Sequence, residues 1–154
     1  MRSPARLERA AIAALIPHHG AMCLLDSVEA WSLDGITSLT AAHQRPDHPL
    51  REEDGLPATV GIELAAQAMA VHGGLLAREQ GVVVQPGYLA AVRDVTFSVS
   101  HLDGFTDPIE VRATRLAGDT ASLMYSFTLH AGAQTIMTGR AIIALQQVNV
   151  ASAS

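Results

Sequence analysis

The residue best suited to do chemistry is a single acid in a very apolar stretch of the sequence. The segment LPATVGIELAAQ places Glu63 among small and apolar residues at the start of a long helical pattern. The helix dipole favours an anion there by a few tenths to about 1 kcal/mol, whereas removal from water favours the neutral acid. A carboxyl group under both influences is a candidate acid or base. The alternative is a solvated glutamate that simply favours a first helical turn.

Gln67 follows four residues later and shares the helical face of Glu63. This spacing predicts that Gln67 hydrogen-bonds Glu63 or orients a polar ligand. The small residues Ala66, Ala70 and Gly74 continue this face and leave room for a partner helix or a narrow channel.

The histidines show no pattern typical of a metal site. His72 lies nine residues after Glu63, about 180° round a helix, so we expect it to pack in the core against the sheet. His43, His101 and His130 fall at predicted strand ends or turns, which indicates exposure to solvent. No two histidines are spaced i, i+4 and no Cys/His cluster occurs, so no metal is predicted.

Composition excludes several classes of function. All ten basic residues are Arg and the net charge is −5, so Schiff-base lysine chemistry and a lysine phosphate loop are excluded. The arginines are dispersed, which is not typical of a nucleic-acid surface. No stretch reaches the roughly 20 apolar residues of a membrane span. Cys23 is alone and lies in an apolar run, which predicts a core residue in a reduced, cytoplasmic protein.

The coarse pattern predicts one domain over residues 1–154. It consists of an N-terminal helix within 1–16, a hairpin turning at Leu33-Asp34-Gly35, a loop, a central helix over 58–80 closed by Gly81, and a frayed tail over 147–154. Between helix and tail, four segments alternate with period two, which predicts four successive strands in a meander. Because the central helix is apolar nearly all round, the sheet must curl around it, giving an α+β fold.

Three segments resemble the FabA/FabZ-type 3-hydroxyacyl-acyl-carrier-protein dehydratases. LPATVGIELAAQAMA is similar to the family pattern M-P-G-V-L-I-x-E-A-x-A-Q without gaps. IPHHGAMCLLDSV resembles the opening L-P-H-R-x-P-F-L-L-V-D-R-V, where His18 and His19 suggest an interface role. YLAAVRDVTFSVS resembles the strand that follows the helix in this family. The segment PATVGIE is most similar to the ApeP-like dehydratases of aryl polyene pigment clusters.

The resemblance implies a hotdog fold, an antiparallel sheet wrapped round a long helix, which dimerises with its sites at the interface. It implies removal of water from a 3-hydroxyacyl chain carried on the phosphopantetheine of an acyl carrier protein, with no other cofactor. A loop histidine of one protomer works with the helix acid of the other. Carried over to this sequence, the catalytic pair is Glu63 and His48, and Gly61, Gln67 and Tyr88 are expected to bind substrate.

The loop of this chain departs from the family pattern. The usual H-F-P-G-x-P-x-M-P-G is replaced by DHPLREEDGLPAT, and without a gap the histidine column falls on Pro49, one residue after His48. His48 fills the role if the loop carries one extra residue, and is otherwise a surface histidine. Two alternatives therefore stay open: a non-catalytic hotdog subunit that pairs with an active dehydratase as a heterodimer, and a hotdog acyl thioesterase.

Overall fold

The computed structural model of the protein describes residues 6–16 and 22–146. In this part of the chain one long helix is combined with an antiparallel seven-stranded sheet. The elements in chain order are β1 Leu7–Glu8, α1 Arg9–Ala13, β2 Ser27–Trp31, β3 Gly35–Thr40, a 3₁₀ turn Ala42–Gln44, α2 Val60–Gln80, β4 Gly87–Phe97, β5 Ile109–Gly118, β6 Ser122–Ala131 and β7 Gln134–Leu145. The order across the sheet is β1-β2-β3-β5-β6-β7-β4.

Helix α2 is the central helix around which the sheet is arranged, as the sequence predicts. It packs against β3, β5 and β6. It ends at Gln80 because Gly81 adopts a left-handed conformation with φ 68°. It begins two residues later than predicted, because the Val60 N–H donates to the carbonyl of Pro57 in a preceding turn. By length and composition α2 could cross a membrane, but 72% of its most apolar window is buried in the fold.

The predicted meander of four successive strands is wrong for the pairing of β4 with β5. β5, β6 and β7 do form a meander, with turns at the predicted Gly118-Asp119 and Ala131-Gly132 sites. β4, however, pairs with β7 at the far edge of the sheet, and β5 pairs with β3. The connection 98–108 is too long to act as a tight hairpin turn, so chain adjacency of β4 and β5 does not impose pairing.

The N-terminal region contains less helix than predicted. Leu7 and Glu8 form the short strand β1 against β2, and α1 covers only Arg9–Ala13. Backbone pairing with β2 outweighs the favourable helix propensity of these two residues. The hairpin between β2 and β3 is confirmed, since the Ser32 N–H donates to the carbonyl of Gly35 at 2.8 Å. The predicted frayed tail, 147–154, lies outside the described residues.

Candidate functional site

Glu63 occupies the first turn of α2, on a face of this helix that residues 6–16 and 22–146 leave uncovered. Its side chain is exposed, whereas the helical positions around it are mostly buried. Ala66, Ala70 and Gly73 follow on the same face and, with Glu63, line a cavity of about 630 Å³. The interpretation of Ala66 and Ala70 as a small-residue channel wall is thereby supported, while Gly74 is buried against Leu15.

The cavity is chiefly apolar, and its volume falls within the roughly 300–1,000 Å³ of small-molecule sites. Its remaining walls come from the end of α1 and residues after it, the segment 84–87, and strands β4, β6 and β7. The polar side chains that line it are those of Glu63, Gln67, Gln85, Tyr88 and Tyr125. Glu63 is the only one of these with a carboxyl group, so a thioester or other apolar guest would meet one proton donor or acceptor of this kind. Within residues 6–16 and 22–146, no group of three His, Cys, Asp or Glu side chains could hold a metal ion.

Gln67 is held by the backbone of the segment before β2. Its Oε1 accepts the Leu24 N–H at 2.9 Å and its Nε2 donates to the Met22 carbonyl at 2.7 Å. The side chain is 1% exposed, and no hydrogen bond to Glu63 is present in the described part of the chain. These two hydrogen bonds fix the backbone on either side of Cys23, which is buried as predicted. Gln67 thus borders the cavity with both ends of its amide already engaged.

Gly61 and Tyr88, the other predicted substrate-binding residues, occupy different surroundings. Gly61 is buried, and a Cβ there would lie 2.6 Å from the Met137 Cε and 3.0 Å from the Leu129 Cδ2. A glycine therefore lets the first turn of α2 approach β6 and β7 closely. Tyr88 lies on β4, lines the cavity and is 65% exposed.

His48 lies on the loop before α2 and is 5% exposed. Its Nδ1 accepts the Leu50 N–H at 3.0 Å. Because a backbone N–H can only donate, the neutral ring carries its hydrogen on Nε2. Burial, followed by the nearby cations of Arg51 and Arg45, lowers the pKa of His48. The cavity that Glu63 lines does not include His48 among its lining residues.

Arg51 and Asp103 hold this loop in place, and neither was predicted from the sequence. The Arg51 guanidinium donates to the carbonyls of His43 and Arg45 and forms an ion pair with Asp103 at 3.4 Å. Asp103 also accepts the Leu56 N–H at 3.1 Å, and this bond is the main cause that lowers the Asp103 pKa. Because these partners are distant in sequence, no local pattern indicates them.

The prediction that His72 packs in the core against the sheet is confirmed. His72 is 0% exposed; its Nε2 donates to the Ser32 carbonyl and its Nδ1 accepts the Tyr125 hydroxyl, both at 2.7 Å. Arg115 in turn donates to the Tyr125 oxygen at 3.0 Å. Burial lowers the pKa of His72 and raises that of Tyr125. Tyr125 and Arg115 were not predicted from the sequence; they meet because they are paired in register on β5 and β6.

The other histidines are only partly as predicted. His43 is 1% exposed and donates from Nε2 to the carbonyl of Phe105, so the expectation of solvent exposure was wrong for it. The 3₁₀ turn that carries His43 packs inward against the segment around residue 105, which the sequence does not reveal. His101 and His130 are at intermediate exposure, His101 facing Asp54 at 3.2 Å. His18 and His19 lie outside the described residues.

Strand β4 forms an edge of the sheet and carries exposed apolar side chains. Val92 and Phe97 on β4 are 36% and 42% exposed, and Val83, just before it, is 93% exposed. The outer side of β4 has no strand partner in the part of the chain that the structure describes. A long apolar edge of this kind is a pairing surface for another chain unless something covers it.

Comparisons with known proteins agree with this architecture. The dehydratase heterocomplex ApeI:P from Xenorhabdus doucetiae matches with TM-score 0.78 and 21% identity, over 96% of this chain and 93% of that chain. Thioesterase superfamily member 2 from zebra fish matches with TM-score 0.62 and 16% identity, over 90% and 95%. A mutant of the Staphylococcus aureus thioesterase SAV0944 matches with TM-score 0.56 and 10% identity, over 78% and 92%. These likenesses establish the predicted hotdog fold.

The match to a family model is more specific than the structural likenesses. A search among curated proteins returned no match. The family model described as "ApeP-like: ApeP dehydratase" matches residues 10–153. Because this match spans nearly the whole sequence, including α2 with Glu63, the chain belongs to the ApeP-like dehydratase family.

Proposed function

We propose that this protein takes part in the dehydration of 3-hydroxyacyl chains carried on the phosphopantetheine of an acyl carrier protein. The pathway class that we propose is fatty acid, polyketide or aryl polyene assembly in the cytoplasm. The observation that carries the proposal is Glu63: a carboxyl group on the uncovered face of an otherwise buried helix, at the wall of an apolar cavity of about 630 Å³. The family membership supports the same reaction class.

The chemistry requires an acid and a base on the same substrate. A base removes the α-proton of the thioester, and an acid donates a proton to the departing β-hydroxyl, which leaves as water. Glu63 is the group we assign to the acid step. The resemblance assigns the base to a loop histidine, which is His48 in this chain or its counterpart in a partner subunit. The apolar cavity holds the acyl chain, and a partner subunit that covers the cavity keeps bulk water from the reacting carbons.

We further propose that the working form is a dimer of hotdog subunits joined through β4, with a different hotdog chain as the partner. The exposed apolar residues of β4 and of the segment before it provide a surface for this pairing. The similarity to a dehydratase heterocomplex supports a heterodimer. The acyl carrier protein is a second, transient partner in this proposal.

A thioesterase is the alternative that a specific observation favours. An exposed carboxylate beside an apolar cavity can also activate water to hydrolyse a thioester, and two of the similar folds are thioesterases. Release of free thiol from an acyl thioester, without formation of a 2-enoyl product, would identify this activity instead of dehydration.

The test is Glu63→Gln in the protein as it purifies from its host, together with any hotdog subunit that accompanies it. We expect conversion of a 3-hydroxyacyl thioester on an acyl carrier protein to fall by about 10²–10⁴-fold, because the amide cannot donate the proton to the leaving hydroxyl. Glu53→Gln, on the exposed loop before α2, is the matched control and should keep full activity. Dehydration by Glu63→Gln at the rate of the unaltered protein would contradict the assignment of the acid.

A further inference from the structure

Gly73 is a glycine in the interior of α2 whose presence is not explained by packing against the described residues. A Cβ at Gly73 would have no atom of these residues within 4 Å. The neighbouring Gly74 differs, because a Cβ there would lie 3.3 Å from both the Cδ2 and the carbonyl oxygen of Leu15. Glycine inside a helix is less favourable than alanine, so close packing accounts for Gly74 but not for Gly73.

Gly73 lies at the end of the cavity that is farther from Glu63. Both residues line the cavity, and they are ten residues apart, which corresponds to about 15 Å along the helix axis. Ala66 and Ala70 line the same helical face between them. The residues of this face after Glu63 are thus alanine or glycine, and the space in front of the helix stays open.

The ring of Tyr125 forms a fixed wall at the same end of the cavity. Tyr125 lines the cavity and is 0% exposed, and its hydroxyl donates to Nδ1 of His72, the residue before Gly73. Arg115 donates to the same oxygen at 3.0 Å, and its Cζ lies 5.4 Å from the centre of the ring. Because these contacts hold the ring in place, it limits how far a guest extends from Glu63.

The lining near Tyr125 suits an acyl chain better than the phosphopantetheine arm. Leu123 and Ile143 line the cavity and are direct partners across β6 and β7, two residues from Tyr125 along β6. The arm carries amide groups, and burying these against aliphatic side chains without hydrogen-bond partners is costly. A hydrocarbon chain has no such requirement, and each methylene that moves from water into an apolar lining strengthens binding by about fourfold.

We propose that Gly73 is a specificity-determining residue that sets the longest acyl chain the cavity accepts. This inference rests on the proposed function and adds the substrate class: 3-hydroxyacyl thioesters of medium chain length. With the reacting carbons at Glu63, the rest of the chain extends past Ala66 and Ala70 to the space in front of Gly73. An extended chain covers about 1.2 Å per bond, so nine carbons beyond the hydroxyl-bearing carbon reach about 11 Å and fit within about 15 Å.

The first experiment measures kcat/KM for 3-hydroxybutanoyl and 3-hydroxydodecanoyl thioesters on an acyl carrier protein. It uses the protein together with any hotdog subunit that purifies with it. Gly73→Leu places a branched aliphatic side chain in the far end of the cavity. We expect the dodecanoyl value to fall by about 10–100-fold, because about three methylenes are displaced, and the butanoyl value to stay within about twofold. An equal loss on both substrates, or no loss on either, would overturn the inference.

Gly73→Ala is the matched control, since its methyl group would meet no described atom within 4 Å. We expect it to keep both kcat/KM values within about twofold and to raise the midpoint of thermal unfolding by about 1–4 °C. Gel filtration verifies that both variants assemble as the unaltered protein does. Loss of folding or assembly in either variant would show that the space at Gly73 is occupied by protein, and would overturn the inference.

Equilibrium binding distinguishes failure of this inference from failure of the proposed function. S-dodecyl-pantetheine is a thioether that can be neither dehydrated nor hydrolysed, so it measures occupancy of the cavity without a reaction. We expect Gly73→Leu to weaken its binding by about 10–100-fold and Gly73→Ala to leave it within about twofold. This pattern in a protein that dehydrates neither thioester would remove the proposed function but support the role of Gly73. Equal binding by the unaltered protein and Gly73→Leu would overturn that role.

Discussion

The polar side chains of helix α2 differ in burial and in hydrogen bonding between its enclosed and its open side. On the enclosed side, His72 is buried and uses both ring nitrogens on partners within the chain. Gln67, which borders the cavity, is also buried, and both ends of its amide are engaged by the backbone. On the open side, Glu63 is exposed at the cavity and is followed by Ala66 and Ala70. The same 21-residue helix therefore has one face that stabilises the fold and one that remains available to a guest.

The presence or absence of a partner within the chain distinguishes polar side chains that stabilise the fold from those that are available for chemistry. A buried polar group must find a partner within the protein, because leaving it unpaired costs about 1–3 kcal/mol. Gln67 and His72 satisfy that requirement, so changes to them should be measured as a loss of stability. Glu63 is exposed and needs no partner within its own subunit, so we expect substitutions of Glu63 to lower catalytic activity and leave stability nearly unchanged.

The largest expected effect on stability comes from Gln67→Leu. The substitution keeps the size of the side chain but leaves the Leu24 N–H and the Met22 carbonyl without their partners. We expect the free energy of unfolding to fall by about 2–4 kcal/mol, as two backbone groups lose hydrogen bonds near the core. Urea denaturation at fixed protein concentration measures it. Gln80→Leu, at the exposed end of the same helix, is the control and should change stability by less than about 0.5 kcal/mol. Equal effects at the two positions would contradict the structural role of Gln67.

Features local to the helix were the ones that could be predicted from the sequence. The end of α2 at Gly81 and the enclosed His72 follow from helical spacing and composition. The exposure of Glu63 within this chain, in contrast, matches the solvated alternative and not the enclosure predicted for the whole helix. Spacing along one element determines which residues share a face. The chemical roles of Glu63 and His48 came from the resemblance and stay predictions.

Features that depend on distant segments could not be predicted in this way. Gln67 bonds backbone 43 residues earlier, and His43 bonds the carbonyl of Phe105, 62 residues later. The pairing of β4 with β7 is of the same kind, since alternation predicts a strand but not its neighbour. The family pattern could locate a loop histidine near His48, but not the direction in which its ring is hydrogen-bonded.

The pH dependence of the free energy of unfolding tests the burial of His72 on the enclosed face of α2. The Tyr125 hydroxyl donates to Nδ1 and so requires the neutral ring, whereas the Ser32 carbonyl accepts from Nε2 in either charge state and favours protonation. Burial is the largest influence, and with the Arg115 cation it lowers the pKa of His72 despite the opposing Ser32 carbonyl and Asp34. The unfolded chain then binds more protons than the folded one, so stability decreases as pH falls below about 6.5, by at most about 1.4 kcal/mol per pH unit for this group.

Urea denaturation at several pH values between neutral and acidic measures this dependence. His43 and His48, whose pKa values are also lowered by burial, add slopes of the same sign. His72→Gln should therefore reduce the slope without abolishing it. A slope that is identical in the variant would show that His72 is protonated equally in the folded and unfolded chains.

The smallest expected effect on stability is on the open face, at Ala70→Leu. Ala70 is exposed and lines the cavity, so the larger side chain has room and should change the free energy of unfolding by less than about 0.5 kcal/mol. Ala68→Leu is the matched substitution on the enclosed face, where Ala68 is 0% exposed, and overpacking there should cost about 1–3 kcal/mol. Thermal and urea unfolding of both variants give the comparison. Equal destabilisation at the two positions would mean that the face carrying Glu63 is as tightly packed as the other, and no acyl chain could then be accommodated beside the carboxyl group.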